Sequence, residues 1–342
     1  MRNVPSRTGR FRLVFILLLL LLITAVLLSM NLGTLAISPK ELVQTIFGRG
    51  TRQQWIALFA IRLPRIIIAL LVGGALAVSG IILQSVTRND LAEPGIIGIS
   101  SGAALFVVVY IYLTNGNNYY SLPVFTIFTM PLIALAGGLA AAALIYALAW
   151  HQGMKARRLL LMGIAVNAGF NALIVIMQLS FDNRDFNRVL SWTSGSIWGV
   201  SWSYVIAAAP PLVFICAAAL YQSRYLDVFT LGDETACGLG VNTEKHRRLL
   251  IIMATALAAV STSVAGSIAF VGLLAPHIAG RLTGPQHRYC TPVSILTGML
   301  LVTGSDIVAR NLFAPLELHI GSVVSIIGAP YFIYLMVKQE KL

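Results

Sequence analysis

Charge is scarce in this chain, and acid is scarcest. Only 11% of its 342 residues are charged, with 12 Asp+Glu against 24 Lys+Arg. A nucleic-acid binder with the same net charge of +12 would cluster its basic residues on a polar surface. Here they are thinly spread between long apolar runs. Three cysteines, Cys216, Cys237 and Cys290, show no CxxC spacing, which excludes a disulfide framework and gives no zinc signature. No Gly-Lys pair occurs, so there is no Walker A loop, and there is no HExxH metal motif. If ATP drives this protein, another chain must bind it. What is abundant is apolar: 58% of residues are hydrophobic and the mean hydropathy is +0.84, which excludes a disordered chain and makes lipid the solvent.

A helix crossing the hydrocarbon core needs about 20 mostly apolar residues. Ten stretches qualify, near 11–30, 62–86, 95–113, 122–150, 158–179, 203–221, 249–265, 267–283, 292–310 and 321–337. The run 249–283 would be about 52 Å long as one helix, too long for one crossing. Gly266, Gly272 and Pro276 offer places to divide it. The first stretch follows Arg2, Arg7, Arg10 and Arg12, as in a signal peptide. Its apolar core is longer than a signal h-region and no A-x-A site follows, so it reads as an uncleaved first helix. With the N-terminus inside, 16 basic residues fall in cytoplasmic segments and 8 outside, which predicts both termini in the cytoplasm. The outer eight are Lys40, Arg49, Arg52, Arg62, Arg65, Arg184, Arg188 and Arg310, and they need their own explanation.

Small residues at helical spacing (Gly73, Ala77 and Gly80; Gly98 and Gly102; Gly137 with Ala141 and Gly138 with Ala142) provide for close helix packing in lipid. Asp306 and Arg310 lie four apart on one helix face; they read either as a neutralising structural pair or as a functional intramembrane site. His277 after Pro276 reads as a helix-end hydrogen-bonding residue, or as a ligand or proton relay. The longest polar segment between spans, residues 222–248, contains a short helical pattern opened by Asp233 and Glu234 and closed by Gly238 and Gly240. That suits a surface helix that docks a partner. The outer loop Phe181–Ser203 carries Trp192, Trp198 and Trp202 with Ser194, Gly195 and Gly199; it reads as interfacial anchoring or as a gate at a pore mouth.

Several blocks together resemble the FecCD/BtuC-like membrane permeases of ABC importers for iron–siderophores, haem and vitamin B12. They are RLPRIIIALLVGGALAVSGIILQSVTRNDLAEPGIIGISSGAA from Arg62, RLLLMGIA, SWTSGSIWGVSW, LDVFTLGDETACGLGV, GSIAFVGLLAPHIAGRLTGPQHR, DIVAR, PLEL and GSVVSIIGAPYFIYLM. They follow the family's order from about residue 35 onward. Three departures stand out: Asp90 replaces the usual Pro of RNPLA, His319 follows PLEL where Pro is usual, and Ala279-Gly280 precede Arg281.

The resemblance implies an all-α integral membrane protein, a ten-helix transmembrane bundle of the type II ABC importer permease kind. Residues 1–342 would form a single transmembrane permease domain, with a cytoplasmic tail at 1–10 and a cytoplasmic coupling segment at 222–248. It implies a multi-pass protein of the bacterial cytoplasmic (inner) membrane that translocates an iron(III)–siderophore complex, with haem or cobalamin as alternatives. An ion-coupled secondary transporter is the competing class; its mid-membrane acids are weakly represented, since the acids lie mostly in loops. Expected partners are ATP-binding subunits, a substrate-binding protein and a second permease subunit, identical or paralogous. This chain would bind no cofactor, no metal and no nucleic acid; ATP-Mg would sit on the partner ATPase. Leu231, Gly232, Asp233, Glu234, Ala236, Gly238, Leu239 and Gly240 match the ATPase-coupling helix. Arg62, Arg65 and Arg310 match outer-face arginines that meet acids of the binding protein. Trp192, Ser194, Gly195, Pro276, His277 and Asp306 are the gate or pathway candidates.

Overall fold

A computed structural model describes residues 7–33, 37–114, 125–150, 156–314 and 316–339; within these, the side chains of 125–128, 156–157, 184, 188, 233–234, 335–336 and 338–339 are not described. Residues 1–6 of the expected tail, Lys155 and Lys341 lie outside the described residues. In chain order the helices are α1 (Arg7–Asn31), α2 (Pro39–Ile46), α3 (Arg52–Trp55), α4 (Leu63–Thr87), α5 (Pro94–Ile97), α6 (Ile99–Thr114), α7 (Phe125–Ala149) and α8 (Ala156–Gln178). They continue with α9 (Asn183–Thr193), α10 (Trp202–Tyr221), α11 (Ser223–Thr230), α12 (Asp233–Gly238), α13 (Thr243–Ala265), α14 (Val271–Thr283), α15 (His287–Asn311) and α16 (Ile320–Gln339). No β-strand occurs among the described residues.

Each of the ten apolar stretches contains a helix. Among the described residues, seven helices are long and apolar enough to cross a membrane; Ile99–Thr114 and Ile320–Tyr334 are shorter apolar helices. Two boundaries differ from the sequence expectation. The second stretch does not start at 62: a wider π-type turn over Ile56–Arg62 joins α3 to α4, giving one continuous helix of 36 residues from Arg52 to Thr87. The run 249–283 divides only at Gly266, which takes φ +68 at the end of α13. Gly272 and Pro276 sit inside α14, whose 13 residues rise only about 20 Å, less than a bilayer core of about 30 Å.

The centre of the bundle is α4. In the apolar window of its 36-residue helix 83% of residues are buried, against 17% in α1 and in α8. Small residues make this possible. Gly73 meets Gly298 of α15 backbone to backbone, and a methyl group on Gly80 would overlap the Gly272 carbonyl of α14. Lipid gives helices no hydrophobic reason to associate, so such close contact supplies the dispersion energy instead. The first helix belongs to the fold: the Phe11 ring lies 5.1 Å from that of Tyr289, and Arg10 donates to the Arg281 carbonyl at 3.1 Å. Arg281 in turn lies over the Tyr334 ring of α16. The start of α1, the ends of α4, α14 and α16 and the start of α15 therefore share one end of the bundle, the amino-terminal end. The end of α1, the start of α4 and the end of α15 share the opposite one.

Candidate functional site

At the amino-terminal end, the segment between α10 and α13 is helical, and its two halves differ. In α11, Leu226 and Phe229 are fully buried. Asp227 accepts from the His287 backbone N–H at 2.9 Å and pairs with His287 Nδ1 at 2.7 Å, while His287 Nε2 lies 2.7 Å from Ser85 Oγ. Arg88, at the left-handed end of α4, donates to the Phe229 carbonyl at 3.0 Å. Burial works against ionised Asp227, yet the side-chain and backbone hydrogen bonds from His287 outweigh it and hold the carboxyl below its usual range.

The other half is the short helix α12. Its backbone forms where the sequence places it, with Gly232 at φ +107 ahead of Asp233 and Gly240 at φ +78 behind. Leu231 and Leu239 are 59% and 62% exposed, Ala236 is buried, and a side chain at Gly238 would meet open space. The Asp233 and Glu234 side chains lie outside the described residues. Within the polar segment 222–248, Thr243–Arg248 already form the first turns of α13.

At the opposite end the structure brings Arg62, Arg65, Arg310 and Asp306 together, and it buries all four. Arg65 Nε lies 2.8 Å from Asp306 Oδ1 and its Nη1 lies 2.9 Å from Glu317 Oε2. Arg310 Nε is 3.1 Å from Asp306 Oδ2, a charge pair without hydrogen-bond alignment, and Arg310 Nη2 donates to Ser29 Oγ at 2.6 Å. Arg62 donates to the Met30 and Asn31 carbonyls at the end of α1. The three arginines expected to meet the binding protein are buried within this chain, where Arg65 and Arg310 neutralise Asp306 and Arg62 caps α1. Lone buried charges are too costly to persist, so each has found a partner. The Asp306–Arg310 pair is the neutralising one that its spacing allows. A cavity of about 390 Å³ opens onto Arg62, Arg65, Arg310, Glu317 and Gln53.

The six gate candidates do not form one group. Trp192, Ser194 and Gly195 meet the break after α13: the Ser267 N–H donates to the Trp192 carbonyl at 3.4 Å, and Gly321 at the start of α16 donates to the Gly195 carbonyl at 3.2 Å. Pro276 and His277 lie elsewhere, on a cavity of about 450 Å³ shared with Ser85, Arg88, Arg281 and His287 at the amino-terminal end. Asp306 belongs to the arginine network. Between these regions a cavity of about 420 Å³ is lined by Glu93, Ser100, Asn167, Asn171, Thr193 and Ser267. It sits where two helices are interrupted, at Gly98 (φ +95) between α5 and α6 and at Phe270 (φ +67) before α14. Buried Glu93 accepts the Phe270 N–H and so caps the half-helix α14. Interrupted backbone at membrane depth is tolerated where it lines such a cavity.

Sequence reading missed Glu93, Asp227, His287, Ser85 and Glu317. Their partners lie far away in the chain, and only the acid of Asp306 four residues before Arg310 left a local signal. The departures are accommodated: exposed Asp90 follows Asn89, whose side chain accepts the Leu91 N–H at 2.9 Å, and His319 Nε2 lies 3.1 Å from Ser191 Oγ.

The FecCD transport family model matches residues 20–338. The iron(3+)-hydroxamate import system permease protein FhuG of Bacillus subtilis is 48% identical over 337 residues, covering 98% of this chain and 100% of that protein. The iron-uptake system permease protein FeuC of the same organism is 39% identical, covering 96% and 98%. The hemin transport system permease protein HmuU of Yersinia pestis is 37% identical, covering 96% and 97%. A solved structure described as an inward-facing metal-chelate type ABC transporter superposes with a TM-score of 0.81 at 29% identity, covering 96% of this chain and 99% of that one. With the family model matched over residues 20–338 and these permeases 37–48% identical over 96–98% of its length, the chain belongs to the FecCD family of membrane permeases.

Proposed function

We propose that this chain is the permease subunit of a binding-protein-dependent importer for an iron(III)–siderophore complex, of the hydroxamate kind. The observation that carries the reading is the full-length 48% identity to an iron(3+)-hydroxamate permease, which exceeds the 37% to a hemin permease. A chelate keeps its iron inside its own ligand, so the polar but weakly charged cavity around Asn167 and Asn171 need supply no metal ligands. The amino-terminal end faces the cytoplasm, by the basic excess of its segments, and both termini lie there. ATP is hydrolysed by partner subunits, into which α12 inserts Leu231 and Leu239.

A second permease subunit completes the cavity across α8, whose apolar face is largely unburied. The loaded binding protein docks at the opposite end, over the cavity of about 390 Å³ where Glu317 is 28% exposed beside the arginines. Charge there orients the encounter more than it strengthens it.

The test is reconstitution with the cognate ATPase, binding protein and second permease subunit in proteoliposomes. Binding protein loaded with an iron(III)–hydroxamate should stimulate ATP hydrolysis. Equal stimulation by haem-loaded binding protein alone would move the substrate to the haem class, and no stimulation by any loaded form would refute the importer reading.

A further inference from the structure

Helices α4 and α15 are joined at three levels. At the amino-terminal end, Ser85 Oγ of α4 meets the ring of His287, the first residue of α15, at 2.7 Å. In the middle, Gly73 and Gly298 bring the two backbones into contact. At the opposite end, Arg65 of α4 pairs with Asp306 of α15 at 2.8 Å, and both side chains are buried. The span from residue 65 to 85 is about 30 Å along a helix, so the ties bracket the whole crossing. The pair has a root as well. Asp227 holds both the backbone N–H and the ring of His287, and Arg88 holds the Phe229 carbonyl, so α11 is fixed to the ends of both helices. The next residues are the exposed tip α12.

We infer that α4 and α15 form a rigid strut across the membrane, with Asp227, His287 and Ser85 as the positioning residues that lock the coupling tip to it and the Arg65–Asp306 pair as its far anchor. Docking of a loaded binding protein at the arginine end and ATPase movement at α12 then act on one body. Packed, hydrogen-bonded helices carry displacement because they do not deform continuously. The inference rests on α12 being the ATPase-coupling element.

The reconstituted importer tests it, with assembly of the complex and stimulation of ATP hydrolysis by loaded binding protein as separate readouts. Asp227→Asn should lower stimulation at least about fivefold, the low end of ordinary coupling between sites, while the complex still assembles. Ser85→Ala removes only the tie to α4 and should act in the same direction; it decides the matter if Asp227→Asn does not assemble. Arg65→Lys keeps the charge but loses the two-pronged geometry, and should also lower stimulation. Sites this far apart ordinarily contribute independently. A single strut predicts instead that Asp227→Asn with Arg65→Lys loses no more than the worse single variant. Unchanged stimulation in Ser85→Ala and Asp227→Asn, or losses that multiply in the double variant, would overturn the strut. Leu231→Asp with Leu239→Asp separates the two claims. If that change leaves stimulation intact, the coupling reading falls and takes the strut with it; if it abolishes stimulation while the strut variants leave it unchanged, the strut alone falls.

Discussion

The two ends of the bundle differ in what they leave exposed. At the amino-terminal end α12 turns Leu231 and Leu239 outward and leaves Gly238 facing open space, while its root α11 is buried. At the opposite end Arg62, Arg65 and Arg310 turn inward and are neutralised by Asp306, Glu317 and the end of α1. Both ends give the same sequence signal, polar residues at the margin of an apolar span. What separates them is packing: the α12 tip projects beyond the Asp227–His287 tie, whereas the three arginines are enclosed with Asp306, Glu317 and the end of α1. On the proposed function, the first end would serve contact with the ATPase and the second holds the fold together beneath the proposed docking face.

The largest expected effect probes the buried end. Asp306→Ala removes the buried carboxylate that Arg65 and Arg310 share, leaving Arg65 with Glu317 and Arg310 with Ser29 alone, and breaking a buried pair costs about 3–5 kcal/mol. Thermal unfolding in detergent should fall sharply, and an unchanged midpoint would show that the arginines reach solvent after all. Gly80→Val comes next, because its side chain must displace the Gly272 carbonyl; overpacking of this kind costs about 1–3 kcal/mol. The same unfolding assay reads it, and Gly238→Val, in open space by comparison, should shift the midpoint much less.

Leu231→Asp with Leu239→Asp should leave stability within about 0.5 kcal/mol, as exposed substitutions do, yet abolish binding-protein-stimulated hydrolysis. A loss of stability instead would mean that α12 is part of the core. The smallest effect is a pH dependence at the root of α11. Asp227 has a depressed pKa in the folded chain, so its contribution is present above the unfolded value of roughly 4 and is lost as pH falls through the lower folded value. Hydrogen exchange of the first amides of α15 should rise on acidification through that window, and Asp227→Asn should remove the pH step.

Much of this fold is legible in the sequence, since lipid imposes a simple length rule on apolar runs. The ten apolar stretches, a division within 249–283, the short α12 and the placing of Asp306 and Arg310 on one helix face all come from local spacing. The rest depends on contacts between distant residues. Nothing near Arg62 tells that its guanidinium caps the end of α1, 31 and 32 residues earlier, nor does anything near Asp227 announce His287, 60 residues on. Arg62 and Arg65 read as outer-face cations because their partners, the end of α1 for Arg62 and Asp306 with Glu317 for Arg65, are remote in the chain. Glu93 looks like one more loop acid until Phe270 is seen to need a cap.

The central claim is that ATP hydrolysed by a partner, and no ion gradient, drives an iron(III)–hydroxamate inward through this permease. Accumulation of radio-iron as its hydroxamate chelate in proteoliposomes holding the assembled importer tests it most directly. Accumulation should require ATP together with loaded binding protein, persist when ionophores collapse every gradient, and vanish in Leu231→Asp with Leu239→Asp. Accumulation that follows an imposed proton or sodium gradient without ATP would contradict it.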